Sequence, residues 1–177
     1  MYYNVAELLK EPVGATREYQ VAETMSGVRE EWGPLLIKGE VRMLRIPRGL
    51  LVTAALSTDI QEECSRCVEP FREHLDLTVE EEFFSAIDVG TGAEVEVTEE
   101  AGPFLISERH ILDLQEAVRQ AILLARPIQP LCRQGCEGLC PECGTDLNQV
   151  HCDCRKLPVD THRGALEQTY GGNSEDR

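Results

Sequence analysis

Rings are scarce in this chain. Four Tyr, four Phe and one Trp make up 5% of 177 residues. A core built on aromatic packing is therefore excluded, and a platform that stacks single-stranded bases on rings has little to stand on. Basic residues are also few, with 17 Lys and Arg against 32 Asp and Glu and a formal net charge of −15. A phosphate backbone should repel such a chain except where cations cluster. Long apolar runs are missing, since stretches such as Ile122 to Ala125 fall far short of the roughly 20 residues that span a bilayer. The start, MYYNVAELLK, lacks a basic stretch followed by an apolar one, so no secretory leader is expected. These absences predict a soluble, cytoplasmic protein with no membrane partner. Signatures of catalysis are absent as well. The sequence holds no phosphate-cradling G-x-x-x-x-G-K-[ST], no H-E-x-x-H and no G-x-S-x-G. Nor does it hold the zinc deaminase order, because Pro141 follows Cys140 rather than preceding it. We therefore expect no enzyme and no small-molecule substrate.

What the chain does have is eight cysteines. In a reducing compartment disulfides rarely persist, and closely spaced cysteine pairs point to metal or redox chemistry. The pairs are Cys64-x2-Cys67, Cys132-x3-Cys136, Cys140-x2-Cys143 and Cys152-x-Cys154. Zinc needs four soft donors at tetrahedral corners, and two cysteines flanking two residues span one edge of that tetrahedron on a tight turn. Gly144 follows Cys143 directly, where such a knuckle turn favours positive φ. The preferred grouping places Cys140, Cys143, Cys152 and Cys154 in one site and Cys64, Cys67, Cys132 and Cys136 in the other. The second grouping would pin the end of a helix to a hairpin tip. His151 in place of one cysteine, or a single zinc with spare cysteines, remain alternatives. Four-thiolate sites are closed, so zinc here is expected to be structural rather than catalytic.

Elsewhere the pattern is that of an α+β fold. Asn4 is placed to cap a short helix through Lys10, with Val5, Leu8 and Leu9 as its apolar stripe. Thr16 to Glu23 reads as a strand and Ser26 to Pro34 as a loop holding Trp32, whose exposure the sequence leaves open. Leu35, Ile37, Val41 and Met43 sit at period two, and Leu50 to Leu56 returns after a turn at Pro47 to Gly49. A separate strand from Thr58 to Glu63 leads into Cys64, and Leu75, Leu77 and Val79 mark the strand beyond Cys67. Glu94 to Thr98 is a further candidate strand in an acidic stretch. Asp113 and Glu116 form a capping box for a helix to about Ala125, with Leu114, Val118, Ala121, Ile122 and Ala125 on one face. The expected architecture is a twisted antiparallel sheet with one principal packing helix and a C-terminal zinc knuckle module. Its divisions are a body at 1–126, a cysteine-rich module at 127–156 and a flexible polar tail at 157–177, with at most a short helix near Arg163 to Tyr170.

The run Glu63-Cys64-Ser-Arg-Cys67-Val-Glu-Pro70-Phe71, then Leu123-Leu-Ala-Arg-Pro127 and Glu137-Gly-Leu-Cys140-Pro-Glu-Cys143-Gly-Thr-Asp146-Leu-Asn148, resembles the large ribosomal RNA subunit accumulation proteins of the YceD type, in their cysteine-rich branch. That resemblance implies a cytoplasmic, non-enzymatic factor supporting accumulation of 23S ribosomal RNA and large-subunit assembly. Its partner would be the large-subunit precursor, met as ribosomal RNA or as a ribosomal protein. Two basic stretches could touch phosphate: Lys38, Arg42, Arg45 and Arg48, opposed only by Glu40, and Arg155, Lys156, His162 and Arg163. The acidic run Glu80-Glu81-Glu82 and the Glu94 to Glu100 stretch would suit a basic protein instead. The rival reading is a zinc-thiolate redox sensor, with Arg66 favouring the thiolate of the first pair.

Overall fold

The computed structural model describes residues 1–87, 93 and 104–154. Its elements, in chain order, are β1 (Tyr2–Asn4), α1 (Ala6–Lys10), β2 (Thr16–Met25), a 3-10 turn (Glu30–Trp32), β3 (Leu35–Ile46), β4 (Gly49–Glu63), β5 (Pro70–Ser85), β6 (Leu105–Ile106), β7 (Ile111–Asp113) and α2 (Gln115–Ala125). The strands form one seven-stranded sheet in the order β1-β7-β6-β5-β4-β3-β2. The expected antiparallel sheet needs correcting to a mixed one, because β6 runs parallel to β5. The chain leaves β5 at Ser85 and comes back as β6 only at Leu105, too long a connection to be a hairpin.

Strand β4 also departs from expectation, since the two strands anticipated at Leu50 to Leu56 and Thr58 to Glu63 are one. Leu50, Val52, Ala54, Leu56, Thr58, Ile60 and Glu62 are all buried at period two. Ser57 and Asp59 are polar but point to the other face, so nothing breaks the alternation. Pairing with β5 runs without a slip from Gly49↔Phe84 to Glu63↔Pro70. The acidic run lies within β5, where Glu80 and Glu82 are exposed and Glu81 is half-buried. Cross-strand pairing and burial of Val79 and Phe83 override the poor strand preference of glutamate.

The sheet curls until its ends approach. The rings of Tyr3 on β1 and Tyr19 on β2 lie 5.0 Å apart, and the Met1 amino group is 3.9 Å from Glu23. Curling protects both edges from pairing with another chain and encloses an aliphatic core, with Ile37, Val41, Met43, Leu50, Val52 and Phe83 at its centre. Helix α1 buries Leu8 and Leu9 as expected, but its N-cap is Val5; Asn4 ends β1 and accepts the Ala6 amide at Oδ1 (3.1 Å). Trp32 folds inward to 8% exposure, with the Arg29 guanidinium 5.3 Å from its ring centre.

Helix α2 closes the core against β5, burying Ala117, Val118 and Ile122. The expected capping box does not form: the N-cap position falls on Leu114, and Asp113 Oδ1 accepts the Gln115 amide at 3.0 Å. Glu116 turns away to Arg119 and Gln120, and those donors hold its carboxyl down at about 2. Ala125, expected on the apolar face, is exposed. Past α2 no further helix or strand forms among the described residues, apart from an isolated bridge between Leu139 and Asp146. The candidate strand at Glu94 to Thr98, the candidate helix at Arg163 to Tyr170 and the basic group Arg155, Lys156, His162 and Arg163 lie outside the described residues. Among the described residues, no helix is long and apolar enough to cross a membrane.

Candidate metal centre

Strands β4 and β5 are long because they must carry their connecting turn beyond the barrel-like body. That turn is Cys64-Ser65-Arg66-Cys67. The Val68 amide donates to Cys64 O at 2.9 Å and the Cys64 amide to Glu69 O at 2.9 Å. The same two bonds recur at the second Cys-x2-Cys, from the Gly144 amide to Cys140 O at 2.9 Å and from the Cys140 amide to Thr145 O at 2.8 Å. Both turns therefore share one backbone design, which requires positive φ just after the second cysteine. Gly144 meets it at φ 72, as its sequence position predicts, whereas Val68 adopts φ 63 despite its branched Cβ.

Helix α2 delivers the second half of the first group. Arg126, at its end, pairs in bidentate fashion with Glu62, whose side chain is 6% exposed. From there Pro130 O accepts the Ser65 amide at 2.8 Å, and the chain brings Cys132 and Cys136 to the turn. Arg66 holds the next segment by accepting the Leu139 amide at its carbonyl (3.0 Å) while its guanidinium donates to Cys136 O at 2.8 Å. Gly138, at φ 78, lets the two backbones meet, since a Cβ there would come within 2.9 Å of Arg66 O.

The eight thiols come together as two groups of four, Cys64, Cys67, Cys132 and Cys136, and Cys140, Cys143, Cys152 and Cys154. Within each group the sulfurs all lie within 4.8 Å of one another. Cys64 to Cys136 and Cys67 to Cys132 are both 3.7 Å, far beyond a disulfide's ~2.05 Å. A tetrahedron with metal–sulfur bonds of about 2.3 Å has edges of about 3.8 Å. Distance and donor chemistry therefore both fit a divalent soft metal, and either group could hold one. His151 lines a small hollow of about 160 Å³ beside Cys140, Cys152 and Cys154 but is not one of the four.

Proton affinities in the two groups split in the way that crowded thiols require. Backbone amides, foremost that of Cys132, bring Cys64 down to about 6, while burial and its thiol neighbours push Cys132 up to about 12. In the other group the Thr145 hydroxyl, 3.1 Å away, brings Cys143 down to about 6, and the bond with Cys143 drives Cys154 up to about 12. Four sulfurs this close cannot all ionise without a cation among them. The groups differ in access. Cys64, Cys67 and Cys136 are buried with Phe71 and Leu131 packed around them, whereas Cys143 is exposed.

Other candidates fare differently. Arg45 points its guanidinium at the carbonyls of Leu9, Ile46 and Gly49, Arg42 faces Glu18, and Arg48 lies 5.6 Å from the Phe84 ring centre. Of the anticipated basic group only Arg45 is thus withdrawn, while Lys38, Arg42 and Arg48 stay exposed. Sequence reasoning did not single out Asn148, which ties the two groups together, although the Asp-x-Asn spacing of Asp146 and Asn148 is a turn signal. Nothing in sequence marked Arg126 for Glu62, because that pairing depends on where α2 ends.

The profile described as "Large ribosomal RNA subunit accumulation protein YceD" matches residues 52–168. An uncharacterized protein of Mycobacterium bovis and one of Mycobacterium tuberculosis are each 33% identical over 112 residues, 63% of this chain and 52% of theirs. An uncharacterized protein of Mycobacterium leprae is 30% identical over 120 residues, 66% of this chain and 51% of its own. The chain spans about half the length of these curated relatives. No solved structure matches it. The matched region takes in the long β4–β5 hairpin, helix α2 and all eight cysteines, and the chain belongs to the family of large ribosomal RNA subunit accumulation proteins of the YceD type.

Proposed function

We propose that this protein is a cytoplasmic, non-enzymatic factor that supports accumulation of 23S ribosomal RNA and assembly of the large ribosomal subunit. In this reading all eight cysteines, Cys64, Cys67, Cys132, Cys136, Cys140, Cys143, Cys152 and Cys154, are zinc ligands, four to each of two structural ions. The family match, which covers both cysteine groups, carries the reading. Body 1–126 then presents the curled sheet, and module 127–156 is shaped by metal and anchored to the hairpin tip. Zinc would replace the missing apolar core of a segment too short and too polar to fold alone. The partner is the large-subunit precursor, as ribosomal RNA or ribosomal protein. The charge of −15 favours a basic ribosomal protein. Depletion of the protein followed by subunit profiling tests this. A fall in large relative to small subunits is expected, and an unchanged ratio would overturn the assembly role.

One observation favours a second role, a zinc-thiolate redox sensor: Cys143 is exposed, so an oxidant can reach the outer group. Peroxide exposure separates the two. Zinc retained with an unchanged subunit ratio removes the sensor, while zinc release accompanied by lost assembly support favours it.

A further inference from the structure

The two cysteine groups are separate in space, yet one side chain spans them. Asn148 lies in the loop between Cys143 and Cys152. Its backbone is locked there by its amide to Asp146 Oδ1 (2.9 Å), by the Leu147 amide to Gly138 O (2.9 Å), and by the Gln149 and Val150 amides to Asp146 O. Its side chain reaches out of that loop into the other group. Nδ2 donates to Cys136 Sγ at 3.4 Å and to Asp146 Oδ1 at 2.7 Å. Oδ1 accepts from the Glu137 amide at 2.9 Å and from Arg133 Nη2 at 2.6 Å. A carboxamide has two donor hydrogens and two acceptor lone pairs, and every one is used. The side chain therefore has a single orientation, and it keeps that orientation only while loop 144–151 holds its shape.

From this juxtaposition we infer that Asn148 is a positioning residue that couples the two metal sites, so that zinc at the exposed Cys140–Cys154 group raises the affinity of the buried Cys64–Cys136 group. The inference rests on the zinc reading above and concerns only this chain's own residues. Zinc on Cys140, Cys143, Cys152 and Cys154 closes the loop that carries Asn148. The closed loop presents Nδ2 to Cys136 and braces the Arg133–Glu137 segment that bears it. An N–H donor lowers the cost of holding negative sulfur in a buried site, and losing such a partner typically weakens metal binding about 10- to 100-fold. Coupling is reciprocal, so loading the buried group must raise the affinity of the exposed one by the same factor.

Native mass spectrometry of the reduced full chain with one equivalent of zinc provides the test. When all the zinc is bound, two independent sites leave about half of the chains or more carrying a single ion, whatever the ratio of their affinities. Coupling predicts a singly loaded fraction well below half, with metal-free and doubly loaded chains predominating. N148A should restore that fraction to half or above and lower the zinc affinity of the Cys64 group about 10- to 100-fold in chelator competition. In a wild-type background C143S should weaken the Cys64 group by a similar factor, and in an N148A background it should add nothing. A zinc affinity of the Cys64 group left unchanged by C143S in the wild-type background overturns the coupling and leaves the zinc reading standing. Failure to bind zinc at any ratio overturns both. Should C143S not fold, a singly loaded fraction that is the same in N148A as in the wild type overturns the coupling.

Discussion

At the scale of single residues, the two Cys-x2-Cys turns are a natural comparison, because identical hydrogen bonds are built from different residues. Gly144 occupies the left-handed position without strain, while Val68 occupies the equivalent position at φ 63 with 58% of its surface exposed. Left-handed backbone costs a branched residue about 1–2 kcal/mol, and glycine's extra chain entropy offsets roughly 0.5–1 of that. V68G should therefore stabilise the protein by about 0.5–1 kcal/mol, read as a higher midpoint in thermal denaturation. A lower midpoint would mean that the valine side chain is held by contacts that outweigh the strain. Gly138 lies on the other side of the same argument. G138A combines an unfavourable φ of 78 with a methyl placed 2.9 Å from Arg66 O. We expect a loss of about 1–3 kcal/mol and a weakened grip of Leu139 on the hairpin tip, measured by denaturant titration of the zinc-loaded chain. The knuckle glycine was legible in sequence. Val68 was not, because local preference argues against its conformation and only the closure of the turn imposes it.

Between elements, the contact that matters most to the site is Arg126 with Glu62, joining the end of α2 to β4 two residues before Cys64. Glu62 continues the buried alternation of β4, so removing its partner leaves a carboxylate with little access to water. R126A should cost about 2–3 kcal/mol, and replacing both residues by leucine should recover most of that, as chemical denaturation would show. On the opposite face of the sheet, His74 Nδ1 lies 2.7 Å from Asp59 Oδ1 across the β4–β5 pair. Asp59, then Asp76, raises the His74 pKa above the ordinary value. A raised histidine adds stability that is complete below its unfolded pKa and is lost as pH rises through the folded one. NMR titration should show His74 titrating above a free histidine, and D59N should bring it down. No change in D59N would remove that cause. These strands were read from their period-two pattern. The unity of β4 was missed because Ser57, Thr58 and Asp59 look like a break until their directions are known.

For the whole molecule, the curled sheet and the cysteine module depend on different forces. The sheet is held by aliphatic burial and a continuous ladder from β2 to β5, the module by a few backbone bonds and its thiols. Removing zinc with a chelator should melt segment 127–154 while amides in β3, β4 and β5 keep their protection, as hydrogen exchange would report. Simultaneous loss of protection everywhere would show that the sheet too depends on metal. C140S should release mainly the module's outer loop, whereas C64S should free the whole segment from the hairpin tip. Loading both groups replaces the remaining thiol protons by two divalent cations, leaving an acidic chain more acidic still and better suited to a cationic partner.

The sequence alone determined the mixed helix-and-strand class of the fold, strands β2, β3 and β5, helix α2, the four cysteine pairs and the grouping preferred for them. Those features depend on periodicity, capping and ligand spacing, which act over a few residues and can be read in order along the chain. The tertiary structure decided the rest. It set β6 parallel to β5, curled the sheet until β1 met β2, turned Trp32 inward, turned Arg45 onto backbone carbonyls, brought Arg126 to Glu62 and carried Asn148 from one cysteine group to the other. Each of these joins residues far apart in the chain or turns a side chain to one face or another. Local preference carries no information about such choices, and only the packing of the completed sheet makes them.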